Sequence, residues 1–350
     1  MKGNCKIHKM FKGDDVMAIS LFIDNGKKRL KPEVQNDIVV EWSRAGMPGK
    51  MTFSVIVDKK LNCNVGDTVT LSVNKKPFFL GYIFTRNQTG PDTMSITCYD
   101  QLRYLKNKDS YVFENKTATQ ILQKIAEDFK LSYGKLANTE YKIPTFTQDN
   151  KPLIDIIGDA LDETNIEKGA KYVLYDDFGK IRLRNENDMD LNFLVKEETA
   201  QSYSYTSSID SETYNKIKIA QEGQISQGGN KKEEEKQRIL SRAIFIAEDK
   251  DNMKRWGTLQ HFEQINKDDN GKDKANKLLK EYNNPKKTLQ INGVLGKTNV
   301  RAGCQIAVVL KSSIDRNTRK LIKLRVETVR HSFSDDVHMM DLTLQGKGFD

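Results

Sequence analysis

The sequence predicts a mainly β protein of the α+β class, with two small β-barrel domains flanking a mixed α/β module. The length of 350 residues suggests two or three domains at roughly 150 residues each. Short runs that alternate with a period of two occupy both ends of the chain, and helical periodicity is confined to the middle and to an insertion. We expect the N-terminal barrel at residues 1–106, the α/β module at 107–205 and the second barrel at 206–350.

The N-terminal barrel is predicted from alternation between turn-forming residues. Phe53, Val55 and Val57 share one face of a run, as do Val69, Leu71 and Val73. This alternation is typical of half-buried strands. The predicted strands include residues 52–57, 68–73, 79–86 and 94–99.

The period changes after Lys116, which marks the α/β module. Thr117 and Gln120 fit a capping box at the start of a helix that continues to Phe129. A second helix is predicted over residues 152–163, because Pro152 is tolerated in a first turn and an apolar stripe follows it. A hairpin is expected around the turn at residues 176–179.

The second barrel begins with β structure near Tyr214 and is interrupted twice. A polar loop is predicted at residues 221–238, and a helical insertion at about 250–283, with helices over 251–265 and 273–282. The later strands are predicted at residues 289–291, 305–310, 321–329 and 340–344.

A weak internal repeat relates the two predicted barrels. Residues 65–71 and 302–308 each enter a strand through a glycine, and each is followed by a longer strand and then by a strand that begins with methionine. Either the chain carries two related barrels, or these are two unrelated meanders that look alike. The choice matters because three copies of a chain with two like domains make a ring with six like positions.

Composition excludes some classes of function. The 57 basic and 48 acidic residues give a net charge of +9, but the signs are mixed along the chain without a basic arm, so a soluble charged surface is favoured over nucleic-acid binding. No apolar stretch reaches the roughly 18–20 residues of a membrane span, and the N-terminus does not resemble a signal peptide. We therefore expect no membrane association, and synthesis in a reducing cytoplasm.

The search for catalytic or ligand-binding motifs favours a structural role. The four cysteines and four histidines show neither disulfide nor zinc-site spacing, so we expect no cofactor, no metal and no catalytic residues. No serine-hydrolase elbow or phosphate loop is present. The acid pairs at residues 14–15, 176–177 and 268–269 are typical of polar turns rather than glycosidase sites.

Four segments of the sequence carry a resemblance to a known family. Residues 95–108 read Ser-Ile-Thr-Cys-Tyr-Asp-Gln-Leu-Arg-Tyr-Leu-Lys-Asn-Lys, and residues 111–118 read Tyr-Val-Phe-Glu-Asn-Lys-Thr-Ala. Residues 255–260 read Arg-Trp-Gly-Thr-Leu-Gln, and residues 284–289 read Asn-Pro-Lys-Lys-Thr-Leu. These segments resemble the baseplate hub family of contractile phage tails, most of all the hubs of Gram-positive myophages and PBSX-like defective prophages. The resemblance covers about residues 39–344, and the stretch 224–237 lies outside it.

The resemblance implies a structural role in a virion or phage-tail-like particle that assembles in the host cytoplasm. Hubs of this kind form homotrimeric rings between the hexameric tail tube, or a tube-initiator protein, and the trimeric central spike, and they contact other baseplate proteins. DNA contact would be incidental, in the channel. A subunit interface needs apolar and aromatic anchors. We name Trp42, Phe78, Phe79 and Trp256 as candidates, although core burial explains each of them equally well.

Two other functions stay open at this point. A tail-associated peptidoglycan hydrolase would fit the same particle, since some relatives carry or bind such enzymes. A DNA-binding or DNA-guiding role is suggested only by the net charge of +9.

Overall fold

The structure, a computed structural model, describes residues 17–35, 37–44, 46–58, 61–210, 212–221, 243–265, 270–311, 319–334 and 337–346. The polar loop predicted at 221–238 lies outside these residues from position 222 onwards. The described chain is mainly β-strand with a smaller helical share, so the predicted class is confirmed. None of the helices in these ranges is long and apolar enough to cross a bilayer.

Seven strands form the first β unit. They are β1 (Ile19–Asp24), β2 (Arg29–Leu30), β3 (Ile38–Ser43), β4 (Lys50–Ile56), β5 (Thr68–Val73), β6 (Lys76–Gln88) and β7 (Thr93–Tyr99). They pair in the order β2-β1-β5-β6-β7-β4-β3. Alternate side chains from β1 and from β3 to β7 meet in one core, which includes Leu71, Met51 and Cys98. One face of the sheet therefore curls around a shared interior, as the period of two predicts.

The α/β module follows a 3-10 turn at Gln101–Lys106. Its elements are β8 (Lys108–Thr117), α1 (Ala118–Asp128), β9 (Tyr133–Leu136), β10 (Lys142–Pro152), α2 (Leu153–Lys168), β11 (Tyr172–Asp176) and β12 (Ile181–Asn185). The capping box is confirmed, since the Gln120 N–H donates to Thr117 Oγ1 at 3.2 Å while Gln120 Oε1 accepts from the Thr117 N–H at 3.0 Å. Helix α2 is one turn longer than predicted and ends at Gly169, whose φ of +66° is left-handed.

The remaining described chain contains nine strands and two helices. They are β13 (Asp190–Lys196), β14 (Ser202–Ser208), β15 (Lys216–Gln221), β16 (Ala243–Glu248), α3 (Lys250–Trp256), β17 (Gln260–Ile265), α4 (Gly271–Tyr282), β18 (Lys286–Leu295), β19 (Gln305–Lys311), β20 (Arg319–Ser334) and β21 (Val337–Gln345). Strands β13, β14 and β18 to β21 form the second β unit, which has its own core.

The insertion is less helical than the sequence predicts. The helix expected over residues 251–265 ends at Trp256, and β17 follows after a glycine, Gly257, with a φ of +77°. Strands β15, β16 and β17 form a separate three-stranded sheet that packs against α4. The alternation of His261, Glu263 and Ile265 on one face is the strand signal that the helical interpretation missed.

The two β units repeat the same backbone design. Gly66 and Gly303 both have a φ of +91°, and their N–H groups donate to Ile83 O and Val326 O, each at 2.8 Å. The next strand pair carries the same bulge, at Phe84 between β6 and β7 and at Glu327 between β20 and β21. Strands β4 to β7 therefore correspond to β18 to β21, which favours related units over an accidental likeness of two meanders.

The units are joined edge to edge into one continuous sheet. Strand β3 pairs antiparallel with β20, so that Trp42 lies opposite Val329 and Val40 lies opposite His331. Strand β20 is long enough to serve two neighbours on this edge, because residues 319–325 pair with β19 and residues 328–333 pair with β3. We call this contact the β3–β20 junction.

Candidate functional site

An aromatic cluster fills the β3–β20 junction. The ring of Phe78 lies 5.0 Å from Trp42, 5.2 Å from His331 and 5.2 Å from Phe333, measured between centroids. Most of these contacts are edge-on or tilted, the arrangement that aromatic quadrupoles favour. The cluster ties the first β unit, through Trp42 and Phe78, to the second, through His331 and Phe333.

One member of this cluster, His331, forms a buried pair with His338. His331 Nε2 lies 3.0 Å from Val300 O, and His331 Nδ1 lies 2.8 Å from His338 Nε2. A carbonyl only accepts, so His331 carries its proton on Nε2, and its Nδ1 accepts from the Nε2–H of His338. Burial, together with the neighbouring His338, lowers the pKa of His331 to about 3, and burial lowers the pKa of His338 to about 4. Both rings are therefore neutral at physiological pH.

Arg301 connects all three parts of the molecule. Its guanidinium stacks 4.0 Å from the Tyr175 ring and 5.0 Å from the Trp42 ring, and its Nη2 donates to Asp176 O at 2.7 Å. The Asp176 side chain in turn accepts from Gln101 Nε2 at 2.8 Å and from the Gly179 N–H at 2.8 Å. Burial raises the pKa of the Asp176 carboxyl and lowers that of Arg301. A cation here holds the module against both β units.

A second ionic cluster lies at the β20 bulge. Glu186, in a 3-10 turn of the module, accepts from Arg44 Nη1 at 2.6 Å and from Arg325 Nε at 3.0 Å. Arg44 also donates from Nε to Glu327 Oε2 at 2.9 Å, and Glu327 is the bulge residue itself. Burial opposes the charge of Arg44, but Glu327 and Glu186 outweigh it and raise its pKa. Glu186 is buried and Arg44, Arg325 and Glu327 are partly buried, so each charge depends on its partners. The four side chains therefore fix the relative placement of the three parts.

The insertion is anchored to the module by a lysine rather than by apolar contacts alone. Lys274 of α4 is buried, and its Nζ lies 2.7 Å from Glu163 of α2 and 2.8 Å from Glu263 of β17. Burial lowers the pKa of this amine, but the two carboxylates outweigh it and raise the pKa. Ile166 of α2 packs into the same core as α4.

The four residues that the sequence singled out lie in three places. Trp42 and Phe78 meet at the β3–β20 junction. Phe79 is 2% exposed and lies in the core of the first β unit. Trp256 is half-buried at the end of α3, with Arg255 over its ring at 5.9 Å. The structure thus brings two of the four together, within one chain.

Sequence reasoning missed the histidine pair and both charged clusters. The spacing of the histidines in the sequence argues against a zinc site but does not indicate burial, whereas His331 is 0% and His338 8% exposed in the structure. Their positions on facing strands of a β hairpin were the available signal, because Phe333 lies opposite His338 in the register. Arg44, Glu186 and Arg301 gave no signal, because their partners are distant in sequence.

Of the three acid pairs in the sequence, Asp176-Asp177 is the one that lies within the described residues, and both of its side chains make structural contacts. The Asp176 carboxylate accepts hydrogen bonds from Gln101 Nε2 and the Gly179 N–H, and Asp177 forms an ion pair with Arg182 at 3.1 Å. The pairs at residues 14–15 and 268–269 lie outside the described residues. Within the described ranges, no three histidine, cysteine, aspartate or glutamate side chains are grouped as a metal site.

Comparison with known proteins places this architecture in a family. The family model described as YqbQ-like matches residues 38–345, which is nearly the whole chain. The chain belongs to the YqbQ-like family. The match begins at β3 and ends at β21, so it includes the first β unit except for β1 and β2, together with the module, the insertion and the second β unit.

A named relative comes from a phage-like element, and a similar solved structure is a prophage tail protein. The phage-like element PBSX protein XkdQ of Bacillus subtilis is 30% identical over 290 residues, covering 81% of this chain and 82% of the relative. The 43 kDa tail protein of prophage MuSo2 from Shewanella oneidensis superimposes with a TM-score of 0.62 at 12% identity, covering 93% of this chain and 98% of that one.

A third match comes from a secretion machine. The E. coli c3393 protein, described as a type VI secretion component with structural similarity to T4 tail proteins gp27 and gp5, gives a TM-score of 0.56 at 11% identity. The superposition covers 94% of this chain and 77% of the c3393 protein chain. The chain therefore has the fold of phage tail proteins.

Proposed function

We propose that this YqbQ-like chain is a structural subunit of the baseplate hub in a contractile phage tail or phage-tail-like particle. Three copies form a ring that joins the hexameric tail tube to the trimeric central spike. The relatives support the tail assignment: XkdQ is named for a phage-like element, and the fold is shared with a prophage tail protein.

The internal repeat carries the symmetry part of this proposal. The two β units share a left-handed glycine turn, the same pairing register and the same bulge. A threefold ring of such chains presents six similar β units, which suits a sixfold tube on one side. The module and the insertion occur once in each chain and keep the opposite side threefold.

Rigidity of the subunit fits a part that transmits force between rings. The two charged clusters and the aromatic cluster hold the module and both β units in one arrangement. Breaking any of these contacts would leave buried charges or ring edges without partners, so bending at the β3–β20 junction is costly.

Copy number is the decisive test. The chain is co-expressed with a tube-initiator protein and a central spike protein from the same phage or particle, and the complexes are studied by native mass spectrometry and electron microscopy. We expect three copies per complex and six similar β densities around a threefold axis. Complexes that contain one or two copies, or a ring with another symmetry, would overturn the hub proposal.

We also propose that the chain has no catalytic centre of its own. Of the three acid pairs named in the sequence analysis, Asp176-Asp177 lies within the described ranges, and its side chains make structural hydrogen bonds and an ion pair. Zymography on Gram-positive cell walls should show no clearing by the purified chain. A lytic band that disappeared on substitution of one acidic residue would instead establish the peptidoglycan hydrolase alternative.

A further inference from the structure

The second β unit has an edge strand whose counterpart in the first unit is covered. Strand β14 pairs with β18 as β3 pairs with β4, so that Tyr205 opposite Leu289 corresponds to Val40 opposite Met51. Strand β3 has β20 on its other side, whereas among the described residues β14 pairs with β18 alone. An edge of this kind is a template for another strand.

The first β unit has a matching strand edge, in β6. The half of β6 after its bulge, residues 85–88, corresponds to the half of β20 that pairs with β3, because Gln88 opposite Met94 matches His331 opposite Met340. In the described structure this half of β6 pairs with β7 on one edge, and all four side chains are exposed. The chain therefore has one half of the β3–β20 junction at each end.

Apolar exposure independently marks the same surface. Tyr203 and Tyr205 on β14 are 49% and 46% exposed, although their counterparts Ile38 and Val40 are 5% and 0% exposed. Leu321 is 65% exposed, and it corresponds to Phe78, because Ile322 and Phe79 follow them at equivalent positions opposite Val308 and Leu71. Positions that the junction covers within the chain thus have exposed counterparts on β14 and β20.

We propose that β14 of one copy adds to residues 85–90 of the next copy, antiparallel and in the register of the β3–β20 junction. This rests on the proposed hub function, since it names the surface through which the ring closes. The transferred register sets Thr206 opposite Asn87 and Tyr205 opposite Gln88, as Glu41 lies opposite Arg330 and Val40 opposite His331. The contact is head-to-tail, so it propagates around a ring.

The two junctions have different chemistry. Within the chain, the junction contains Phe78, His331 and Phe333. The corresponding positions between copies are Leu321, Gln88 and Gly90. The contact between copies therefore depends more on backbone hydrogen bonds and two tyrosines, as expected for strand addition between separately folded subunits.

Engineered disulfides test the proposed register between β14 and β6 directly. Directly opposed residues of antiparallel strands have Cα atoms about 4.5–5.5 Å apart, within the span that a disulfide bridges, and a slip of two residues adds about 7 Å along the strand. In the complex with neighbouring tail proteins, a mixture of copies carrying Asn87→Cys and copies carrying Thr206→Cys should cross-link under mild oxidation. Mixtures of Asn87→Cys with Ser204→Cys, and each single variant alone, serve as controls and should cross-link far less.

Charge variants test the same pair without oxidation. Asn87→Arg with Thr206→Glu copies the in-chain Arg330–Glu41 pair, whose charged atoms are 3.8 Å apart. It should tighten association about two- to fivefold over the wild type, while Asn87→Arg with Thr206→Arg should weaken it by a similar factor. Both variants change exposed side chains, so their folding provides no competing explanation.

The outcomes separate this inference from the hub proposal. Three-copy complexes in which the matched cysteines cross-link no better than the slipped pair would overturn the β14–β6 contact and leave the hub intact. Cross-linking with copy numbers other than three would keep the contact and overturn the threefold ring.

Discussion

The meanders β5-β6-β7 and β19-β20-β21 have the same turn, register and bulge, yet they surround the bulge with different chemistry. Phe84 at the first bulge packs on Tyr99 and Tyr104, whereas Glu327 at the second binds Arg44. After the bulge, β6 is exposed and β20 is covered by β3. The comparison teaches that the same backbone hydrogen bonding accommodates different side chains, which differ according to what each edge contacts.

The largest effect is expected from acid, which protonates the buried histidine pair in the meander β19-β20-β21. The pKa values of His331 and His338, about 3 and about 4, lie below the ordinary 6.5, so the unfolded chain binds more protons once the pH falls below 6.5. The contribution of the neutral histidine pair to the free energy of unfolding is therefore fully present above pH 6.5, and it is lost as the pH falls toward these values. Compared with a H331Q/H338Q variant, the wild type should lose about 4 kcal/mol between about pH 7.5 and pH 5.

Denaturant unfolding of both proteins across this range measures the difference. The double variant keeps Asp100 and Asp176, whose pKa values burial raises and whose contribution has the opposite sign, so their effect cancels in the comparison. Parallel pH profiles for the two proteins would show that the histidine pair does not titrate as the junction geometry requires.

The ionic cluster at the second bulge should give the next largest effect. Glu186→Gln leaves Arg325 without its carboxylate and Arg44 with one partner, and should lower the free energy of unfolding by about 2–3 kcal/mol. The matched control is Glu41→Gln, because Glu41 is 43% exposed and makes looser ion pairs at 3.5 and 3.8 Å. That control should change stability by less than about 1 kcal/mol. Equal effects in chemical denaturation would contradict the importance of the cluster.

The two equivalent glycines test the repeat itself. Both have a φ of +91°, so alanine is strained by about 1 kcal/mol at either position. A Cβ at Gly66 meets open space, whereas a Cβ at Gly303 lies 2.6 Å from Val173 Cγ1. Gly303→Ala should therefore destabilise the protein by about 1–2 kcal/mol more than Gly66→Ala. Thermal unfolding of the two variants gives the difference, and a larger loss for Gly66→Ala would be inconsistent with the packing.

The smallest difference is expected at the counterparts Phe78 and Leu321. Phe78→Leu removes ring contacts with Trp42, His331 and Phe333 and should cost about 1 kcal/mol. Leu321→Phe, at a 65% exposed position, should change the stability of the isolated chain by less than about 0.5 kcal/mol. Differential scanning fluorimetry at low protein concentration compares them, and a loss from Leu321→Phe as large as that from Phe78→Leu would break the contrast.

Local rules in the sequence determined much of this protein. Alternation at Phe53, Val55 and Val57 predicted a strand, and Thr117 with Gln120 predicted a helix start, because these signals lie within a few residues of one another. Gly66 and Gly303 indicated two similar strand entries for the same reason, since a left-handed turn favours a residue without a Cβ, and the choice between a repeat and two unrelated meanders stayed open.

Only the tertiary structure decided what lies at the junction. Arg44 and Glu327 are 283 positions apart, and Arg301 and Asp176 are 125 apart, so no local pattern could pair them. Other long-range pairings act in the same way: β3 lies beside β20 where His331 is buried, and residues 251–265 are divided between a helix and a strand because β17 completes a sheet with β15. Periodicity indicates which face of an element is apolar, but the partner of that face is selected by packing across the whole chain.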